Sequence, residues 1–221
     1  QRQRLKNLGT TDKKSSRKIK YKKIPRVHTF EKENQNMKVM NPVLPGFNPD
    51  PSLVRVGDDY YIATSTFEWF PGICIHHSKD LVNWEILSYA LTDETKFDIK
   101  GMDTACGIWA PNLTYDNGTF YLIYTIVYTN RQRFKDTHNF MVTASDPKGP
   151  WSDPIPLNKM GFDPSLFQDP DGSKWLVNML FDYRLDHKRF GGVGVQQYDP
   201  ETKKLVGPVY NVFKGSDKGT T

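Results

Sequence analysis

The stretch GFNPDPSLVRVGDDYYIATST, residues 46–66, contains the pattern that organises the chain. An acid and a proline precede a short apolar segment, which is followed by a turn rich in Asp and Gly and by an alternating aromatic segment. This order predicts a β-hairpin. Asp50 lies between Pro49 and Pro51, and both prolines restrict its backbone. It is therefore either a rigidly placed functional carboxylate or an ordinary turn residue.

The same pattern occurs twice more in the chain. APNLTYDNGTFYLIYT begins at Ala110, and DPSLFQDPDGSKWLVN begins at Asp163. The shared prolines, Pro51, Pro111 and Pro164, are separated by 60 and 53 residues. A further strand, a polar turn and an edge strand follow each hairpin, which predicts four short strands in each unit of about 55 residues.

Repeated four-stranded units are typical of β-propeller blades. The alternative all-β fold, a sandwich, does not predict the recurrence of whole motifs. Propellers have about 4 to 8 blades, so we expect an incomplete propeller that contains the first three blades. Such an open ring would expose apolar faces and strand edges.

The basic charge of the chain is concentrated at its beginning. Residues 1–36 contain 12 Lys and Arg against 3 Asp and Glu, whereas residues 37–221 contain 18 against 22. We interpret residues 1–36 as a disordered or non-native tail and residues 37–221 as the propeller domain. The alternative, a tail that contacts nucleic acid, has only this charge to support it.

Few other functions find support in the sequence. No apolar run is long enough to span a membrane, so we expect no membrane partner. We expect no nucleic-acid partner either, because only the charge of the tail supports one. Cys74 and Cys106 are interpreted as buried free thiols, which favours a cytoplasmic location, or a periplasmic or secreted one if the native N-terminus differs. No His or Cys spacing suggests a metal site, and for His138 a structural role is favoured over one in the cavity.

Asp50 and Asp163 are the strongest candidates for chemistry. The first strand of each propeller blade lines the central channel, so equivalent positions converge there. Paired carboxylates in a pocket are the equipment of glycoside hydrolysis, in which one takes a proton from water and the other, protonated, gives a proton to the leaving oxygen. The alternative is that both are structural turn residues.

Aromatic residues accumulate near the same positions. Phe67 and Trp69 follow the first hairpin, while Trp109 and Phe162 directly precede the repeat positions Ala110 and Asp163. Aromatic planes bind the apolar faces of sugar rings, so we predict that these four side chains contact substrate. Packing between blades is the alternative explanation.

Residues 40–221 resemble glycoside hydrolase family 43, most closely its β-xylosidases. The resemblance rests on the long motifs NPVLPGFNPDPSLVRVGDDYYIATSTFEWFPG, IHHSKDLVNWE, GIWAPNL and GFDPSLFQDPDGSKWLVNM. It implies a five-bladed β-propeller and an inverting mechanism. It also implies substrates such as xylo-oligosaccharides or arabinoxylan-derived chains, with β-1,4-linked xylose or α-L-arabinofuranose removed from their ends.

The resemblance also implies roles for individual residues. Asp50 matches the general base, and Asp163 matches the aspartate that orients the general acid and raises its pKa. The acid itself is a glutamate in a Glu-Gly-Pro motif, which we expect directly after Thr221, so the 221-residue chain alone should be inactive. No cofactor is required, although a calcium ion in the channel is compatible with the family. A non-catalytic sugar-binding propeller remains the alternative function.

Overall fold

A computed structural model describes residues 40–131 and 133–216, and all of its regular structure is β. The predicted basic tail, residues 1–36, lies outside the described residues. Within the described part of the chain no helix could cross a membrane. Its strands are β1 (Ser52–Val56), β2 (Asp59–Thr64), β3 (Gly72–Ser78), β4 (Glu85–Leu91), β5 (Gly107–Asp116), β6 (Thr119–Thr129), β7 (Asp136–Ala144), β8 (Ile155–Pro156), β9 (Gly161–Gln168), β10 (Lys174–Phe181), β11 (Phe190–Asp199) and β12 (Lys204–Phe213).

The strands form three four-stranded sheets, each from four consecutive strands. Sheet 1 contains β1–β4, sheet 2 contains β5–β8 and sheet 3 contains β9–β12, and every pairing within them is antiparallel. The predicted all-β class with four strands in each repeat is confirmed. A sandwich would have distributed the same strands over two facing sheets.

The hairpin that opens each sheet follows from its turn residues. Between β5 and β6, Asn117 and Gly118 both have positive φ, at 46° and 84°. A two-residue turn with this geometry matches the twist of the flanking strands. In sheet 1, Gly57 takes the corresponding turn position with φ 62°, which glycine adopts without strain. The Asp/Gly clusters of the sequence therefore fix the register of the first two strands.

Sheets 2 and 3 carry the same β-bulge near the start of the first strand. In sheet 2, residues 110–111 lie opposite the single residue Tyr124. In sheet 3, residues 163–164 lie opposite the single residue Asn178. A bulge of this kind bends the strand and redirects a side chain.

Sheet 1 has the same arrangement at its first repeat position. The Ser65 N–H donates to the Pro49 carbonyl at 3.0 Å, and Ser52 pairs with Ala63. Residues 50–51 thus lie opposite the single residue Thr64. All three repeat positions are bulges, which gives the sequence repeat a backbone counterpart.

The backbone conformation at these bulges is also shared. Asp50, Ala110 and Asp163 have φ values of 51°, 41° and 54°. Aspartate adopts this left-handed region more readily than most residues. The proline that follows has no N–H to leave unpaired, so it suits a bulge. The Asp-Pro motif therefore fits the local geometry of the first and third bulges, whereas in the second only the proline of Ala-Pro has this explanation.

Sheet 2 packs against both other sheets. Residues of sheets 1 and 2 form one buried cluster, and residues of sheets 2 and 3 form a second. Strand β5 lies beside both β1 and β9, so the first strands are neighbours. The largest fully buried side chains of these clusters are those of Ile73, Ile75, Ile108, Leu113, Leu122, Ile123, Tyr124, Ile126, Met141 and Leu176.

Side-chain hydrogen bonds connect the neighbouring first strands at equivalent places. The Leu113 N–H donates to Ser52 Oγ at 3.0 Å, and the Leu166 N–H donates to Asn112 Oδ1 at 3.0 Å. Ser52 and Asn112 both follow the repeat proline directly. Each pair of neighbouring sheets is therefore held in register beside the bulges.

The faces of sheets 1 and 3 that point away from sheet 2 carry exposed apolar side chains. Leu53 and Ile86 of sheet 1 are 56% and 61% exposed, and Phe167 of sheet 3 is 52% exposed. Their neighbours along the strands face sheet 2, and successive strand residues point to opposite sides. These outer faces match the apolar faces expected of an open ring.

Candidate active site

Asp50 and Asp163 lie on the two outer members of the three adjacent bulges. Both side chains are accessible to solvent. The pKa of Asp163 is raised above its ordinary value, chiefly because the surrounding protein reduces its hydration and next because of the negative charge of Asp50. The two carboxylates are thus close enough to interact, although more than a hundred residues separate them in the chain.

Asp50 is held by a hydrogen bond rather than by its own turn. Ser65 Oγ lies 2.6 Å from Asp50 Oδ2, and the Ala110 N–H donates to the same hydroxyl at 2.8 Å. The Ser65 residue is 1% exposed. The first carboxylate is therefore tied to the second bulge through one buried side chain.

Three of the four predicted aromatic residues form a continuous wall beside these carboxylates. The ring centroids of Phe67 and Trp109 are 6.1 Å apart, and those of Trp109 and Phe162 are 5.7 Å apart, both in edge-to-face geometry. All three side chains are half-buried. Such rings combine mutual packing with an accessible surface, so packing and ligand contact are compatible here.

Local backbone pairing places Phe67 in this wall. Its N–H and carbonyl form two hydrogen bonds with Ile108, at 3.0 and 2.9 Å. This close approach requires Gly107, where a Cβ would lie 2.2 Å from the Phe67 carbonyl oxygen. The glycine of the GIWAP motif therefore brings the loop of sheet 1 against the first strand of sheet 2.

Trp69 lies apart from the wall. It is 65% exposed and borders a cavity of about 460 Å³ together with Pro71, Cys74 and His76. That cavity is on the side of sheet 1 that faces away from sheet 2. The predicted contact of Trp69 with substrate stays a prediction, without the neighbours that support the other three aromatics.

Lys135 is a site residue that the sequence did not single out. Its ammonium lies 4.9 Å from the Trp109 ring centroid and 5.7 Å from that of Phe162. Partial burial lowers the pKa of Lys135, with Arg189 adding to this effect, while the charge of Asp163 opposes it. The Lys135 side chain also contacts Asn130. Lys135 thus supplies a positive charge beside the aromatic wall and Asp163.

Sequence reasoning missed Lys135 because its surroundings read as a polar loop. The stretch RFKDTH has no apolar period and no motif. Only the tertiary structure holds it in place, with the Tyr183 hydroxyl donating to the Lys135 carbonyl at 2.8 Å. A lysine in a loop gives no sequence signal that distinguishes a site cation from a solvated one.

The remaining sequence candidates take structural positions. Cys74 and Cys106 are buried free thiols, as predicted. His138 lies 2.8 Å from Asp136 and packs on Tyr128 with ring centroids 4.8 Å apart. Among residues 40–131 and 133–216, no group of three or more His, Cys, Asp or Glu could hold a metal ion. Calcium binding, which backbone carbonyls and water can also provide, stays a prediction.

The arrangement has the chemical parts of a sugar site. One carboxylate is fixed by a hydroxyl, a second has a raised pKa, and an aromatic wall with a lysine lies beside them. Two carboxylates in unlike surroundings can take different roles in proton transfer. Aromatic faces can cover the apolar side of a pyranose or furanose ring.

Comparisons with known proteins agree with this chemistry. Residues 39–221 match the model of Glycosyl hydrolases family 43. The chain is 56% identical to Xylosidase/arabinosidase 43B of Humicola insolens over 81% of this chain and 33% of that protein. It is 52% identical to a Beta-xylosidase of Bacillus subtilis (strain 168) over 84% of this chain and 35% of that protein.

A solved structure gives the same picture. The xylan beta-1,4-xylosidase from Bacillus halodurans C-125 is 59% identical, with a TM-score of 0.80 over 83% of this chain and 35% of that one. The chain thus spans about a third of the length of these relatives.

Proposed function

Because the chain belongs to glycosyl hydrolases family 43, we propose that the full-length protein is an exo-acting glycosidase. Its substrates are xylan-derived oligosaccharides, from which it removes terminal β-1,4-linked xylose or α-L-arabinofuranose. The names of its relatives, a xylosidase/arabinosidase and a beta-xylosidase, support both sugars as candidates. The placement of Asp50 and Asp163 on the outer two of three adjacent bulges, beside an aromatic wall, is the observation that carries the proposal.

In this proposal Asp50 is the general base. Its carboxylate takes a proton from a water molecule as that water attacks the anomeric carbon, and the attack inverts the configuration at this carbon. The water must fit between the base and the sugar, so the base belongs on a separate strand from the acid side of the site. The bulge of sheet 1 meets this requirement, since Asp50 lies on a different sheet from Asp163 and is solvent-accessible.

Asp163 acts on the opposite side of the reaction. It orients the general acid and raises the pKa of that acid by its negative charge. The acid is the glutamate of a Glu-Gly-Pro motif that we expect after Thr221. It protonates the leaving oxygen while the glycosidic bond breaks. Asp50 then releases its proton to solvent and the glutamate takes up a proton from solvent, which restores both groups.

Trp109, Phe162 and Phe67 form the wall of the subsite for the terminal sugar. Their rings cover the apolar C–H face of the sugar, and Lys135 offers an N–H donor to a sugar hydroxyl or to Asp163. A subsite closed by aromatic side chains on one side admits a chain end more easily than a chain interior. This favours release of one sugar at a time.

The fold that completes this site is a five-bladed β-propeller, of which sheets 1, 2 and 3 are blades. The exposed apolar faces of sheets 1 and 3 support this, because further blades would cover them.

The experiment that tests the function is xylose release from β-1,4-xylobiose by the full-length protein, with the anomer of the released sugar read by proton NMR on an aryl β-D-xyloside, whose leaving group is not a sugar. The α-anomer of xylose should appear first and then mutarotate, because inversion converts the β-linkage to an α-hydroxyl. An aryl α-L-arabinofuranoside, assayed in parallel, measures the second sugar. Initial release of the β-anomer would contradict inversion, and the absence of sugar release would contradict the enzyme in favour of a sugar-binding propeller.

A further inference from the structure

Ser65 lies at the junction of the first two bulges. It directly follows β2, and its N–H donates to the Pro49 carbonyl at 3.0 Å. This bond places its side chain next to the repeat position of sheet 1. With 1% of the residue exposed, the hydroxyl has no access to bulk water as an alternative partner.

The direction of the two hydrogen bonds of this hydroxyl is fixed by chemistry. The backbone N–H of Ala110 can only donate, so Ser65 Oγ accepts there at 2.8 Å. The single hydroxyl proton of Ser65 is then free to donate to Asp50 Oδ2, 2.6 Å away. A separation of about 2.5–2.7 Å is typical of a hydroxyl that donates to an ionised carboxylate.

From this geometry we propose that Ser65 is a positioning residue for the general base. It holds Asp50 through one oxygen, so that the other oxygen, Oδ1, takes the proton from the attacking water. The proposal rests on the proposed function, in which Asp50 is that base. It adds a residue whose hydroxyl does not contact the substrate but determines which carboxylate oxygen reacts.

The second hydrogen bond gives Ser65 a further effect. The Ala110 N–H belongs to the residue after Trp109, the central ring of the aromatic wall. Ser65 therefore sets the position of the base relative to the ring that covers the sugar. A displacement of about 1 Å in such an alignment can cost a factor of about 100 in rate.

This role has no counterpart in the other two bulges. The residues at the place of Ser65 are Thr125 in sheet 2 and Met179 in sheet 3. Thr125 donates to Asn139 instead, at 2.7 Å, and methionine has no hydroxyl. The buried serine thus occurs where the proposed base is, and not as a general feature of the repeat.

The test compares Ser65→Ala with wild type in the full-length protein, with xylobiose as substrate. We expect kcat to fall about 10- to 100-fold, as for loss of a hydrogen bond to a charged group. KM should change less than about threefold, since the sugar-contacting rings stay in place. Ser65→Cys keeps a side chain of similar shape with a weaker donor, and its kcat should lie between the two.

Ser52→Ala is the matched control. It also removes a serine hydroxyl that accepts from a backbone N–H of β5, that of Leu113 at 3.0 Å, but this hydroxyl does not bond to Asp50. It should lower the melting temperature while kcat stays within about twofold. A purely structural role for Ser65 predicts that both variants behave alike.

A double-mutant cycle with Asp50→Asn tests whether Ser65→Ala lowers the rate through its effect on Asp50. Under single-turnover conditions with an activated aryl xyloside, Ser65→Ala should have almost no effect in the Asp50→Asn background, because its effect passes through Asp50. An unchanged kcat in folded Ser65→Ala or Ser65→Cys, or an equal loss in both backgrounds, overturns the inference alone. Wild-type activity in Asp50→Asn overturns the inference together with the proposed base.

Discussion

The first and third bulges share a backbone but surround their aspartates differently. Asp50 and Asp163 have nearly equal φ angles, 51° and 54°. Across the hairpin, however, Asp50 meets the hydroxyl of Ser65, whereas Asp163 has Met179 at the same place. Asp163 has a raised pKa. The repeat thus gives both aspartates the same backbone conformation, and the residue opposite each bulge gives their carboxylates different surroundings.

The second bulge extends the comparison. Ala110 has the same backbone conformation and no ionisable group, and its N–H donates to the hydroxyl that holds Asp50. Its neighbour Trp109 contributes an aromatic ring instead of a charge. Three equivalent positions therefore supply two carboxylates and a wall between them, as expected of a site for a neutral sugar.

The largest effect should come from removing the charge of the first bulge. Asp50→Asn keeps the shape of the side chain but not its basicity, so the full-length protein should lose about 10²- to 10⁴-fold in kcat on xylobiose. Circular dichroism and the melting temperature should stay close to wild type, because the side chain is solvent-accessible. Activity within tenfold of wild type would remove Asp50 as the base.

The same substitution at the third bulge should separate activity from stability. Asp163→Asn should lower kcat by about 10- to 100-fold, since it weakens the general acid without removing it. Because the folded-state pKa of Asp163 is raised, its ionised form costs stability at neutral pH, and the neutral variant should melt at a higher temperature.

The effect of Asp163→Asn on the free energy of unfolding should depend on pH. The stability that Asp163 contributes is fully present below its unfolded pKa, near 3.8, and is lost as the pH rises through the raised folded value. The stability gain of Asp163→Asn should therefore be largest near pH 7 and should vanish toward pH 3.8. A gain that grows as the pH falls would contradict the raised pKa.

The aromatic wall of the second bulge can be tested against an aromatic residue outside it. Trp109→Ala should raise KM by about tenfold, because it removes the ring between Phe67 and Phe162. Trp69→Ala serves as the comparison, since Trp69 is 65% exposed and lies on the other side of sheet 1. Its KM should change less than about threefold. Equal effects on KM would place both rings at the substrate.

The smallest effect on activity should come from the hydrogen bonds that align neighbouring bulges. Asn112→Ala leaves the Leu166 N–H without its acceptor, which should lower the free energy of unfolding by about 1–3 kcal/mol. Gln168→Ala is the control, because its amide donates only to Thr114 Oγ1 at 3.3 Å and its loss orphans no backbone group. Urea denaturation measures both, and kcat should stay within twofold.

Local patterns made most of the fold predictable. The Asp/Gly turns and aromatic alternation of the three repeats predicted the hairpins, and the four-strand count followed from the polar turns between them. The equivalence of Asp50 and Asp163 could be predicted because both begin the same repeated motif, Asp-Pro-Ser-Leu. The sequence did not predict which residue faces each bulge across its hairpin, such as Ser65 in sheet 1 and Met179 in sheet 3.

Features that depend on tertiary contacts were not predictable. Lys135 reaches the wall through the fold of a polar loop, and Ser65 acts through neighbours 15 and 45 residues away. Trp69 resembles Phe67 in the sequence, since only one residue separates them, yet it points to a different side of sheet 1. Neither hydrophobic period nor spacing encodes which side chains meet across sheets.

The most direct test is a crystal structure of the full-length protein with xylose bound. We expect one sugar ring against Trp109 and Phe162, with the carboxylates of Asp50 and Asp163 both facing it from sheets 1 and 3. Asp50 Oδ2 should keep its bond to Ser65 while Oδ1 faces the anomeric carbon across a water molecule. A sugar bound elsewhere, or carboxylates directed to separate cavities, would contradict the account.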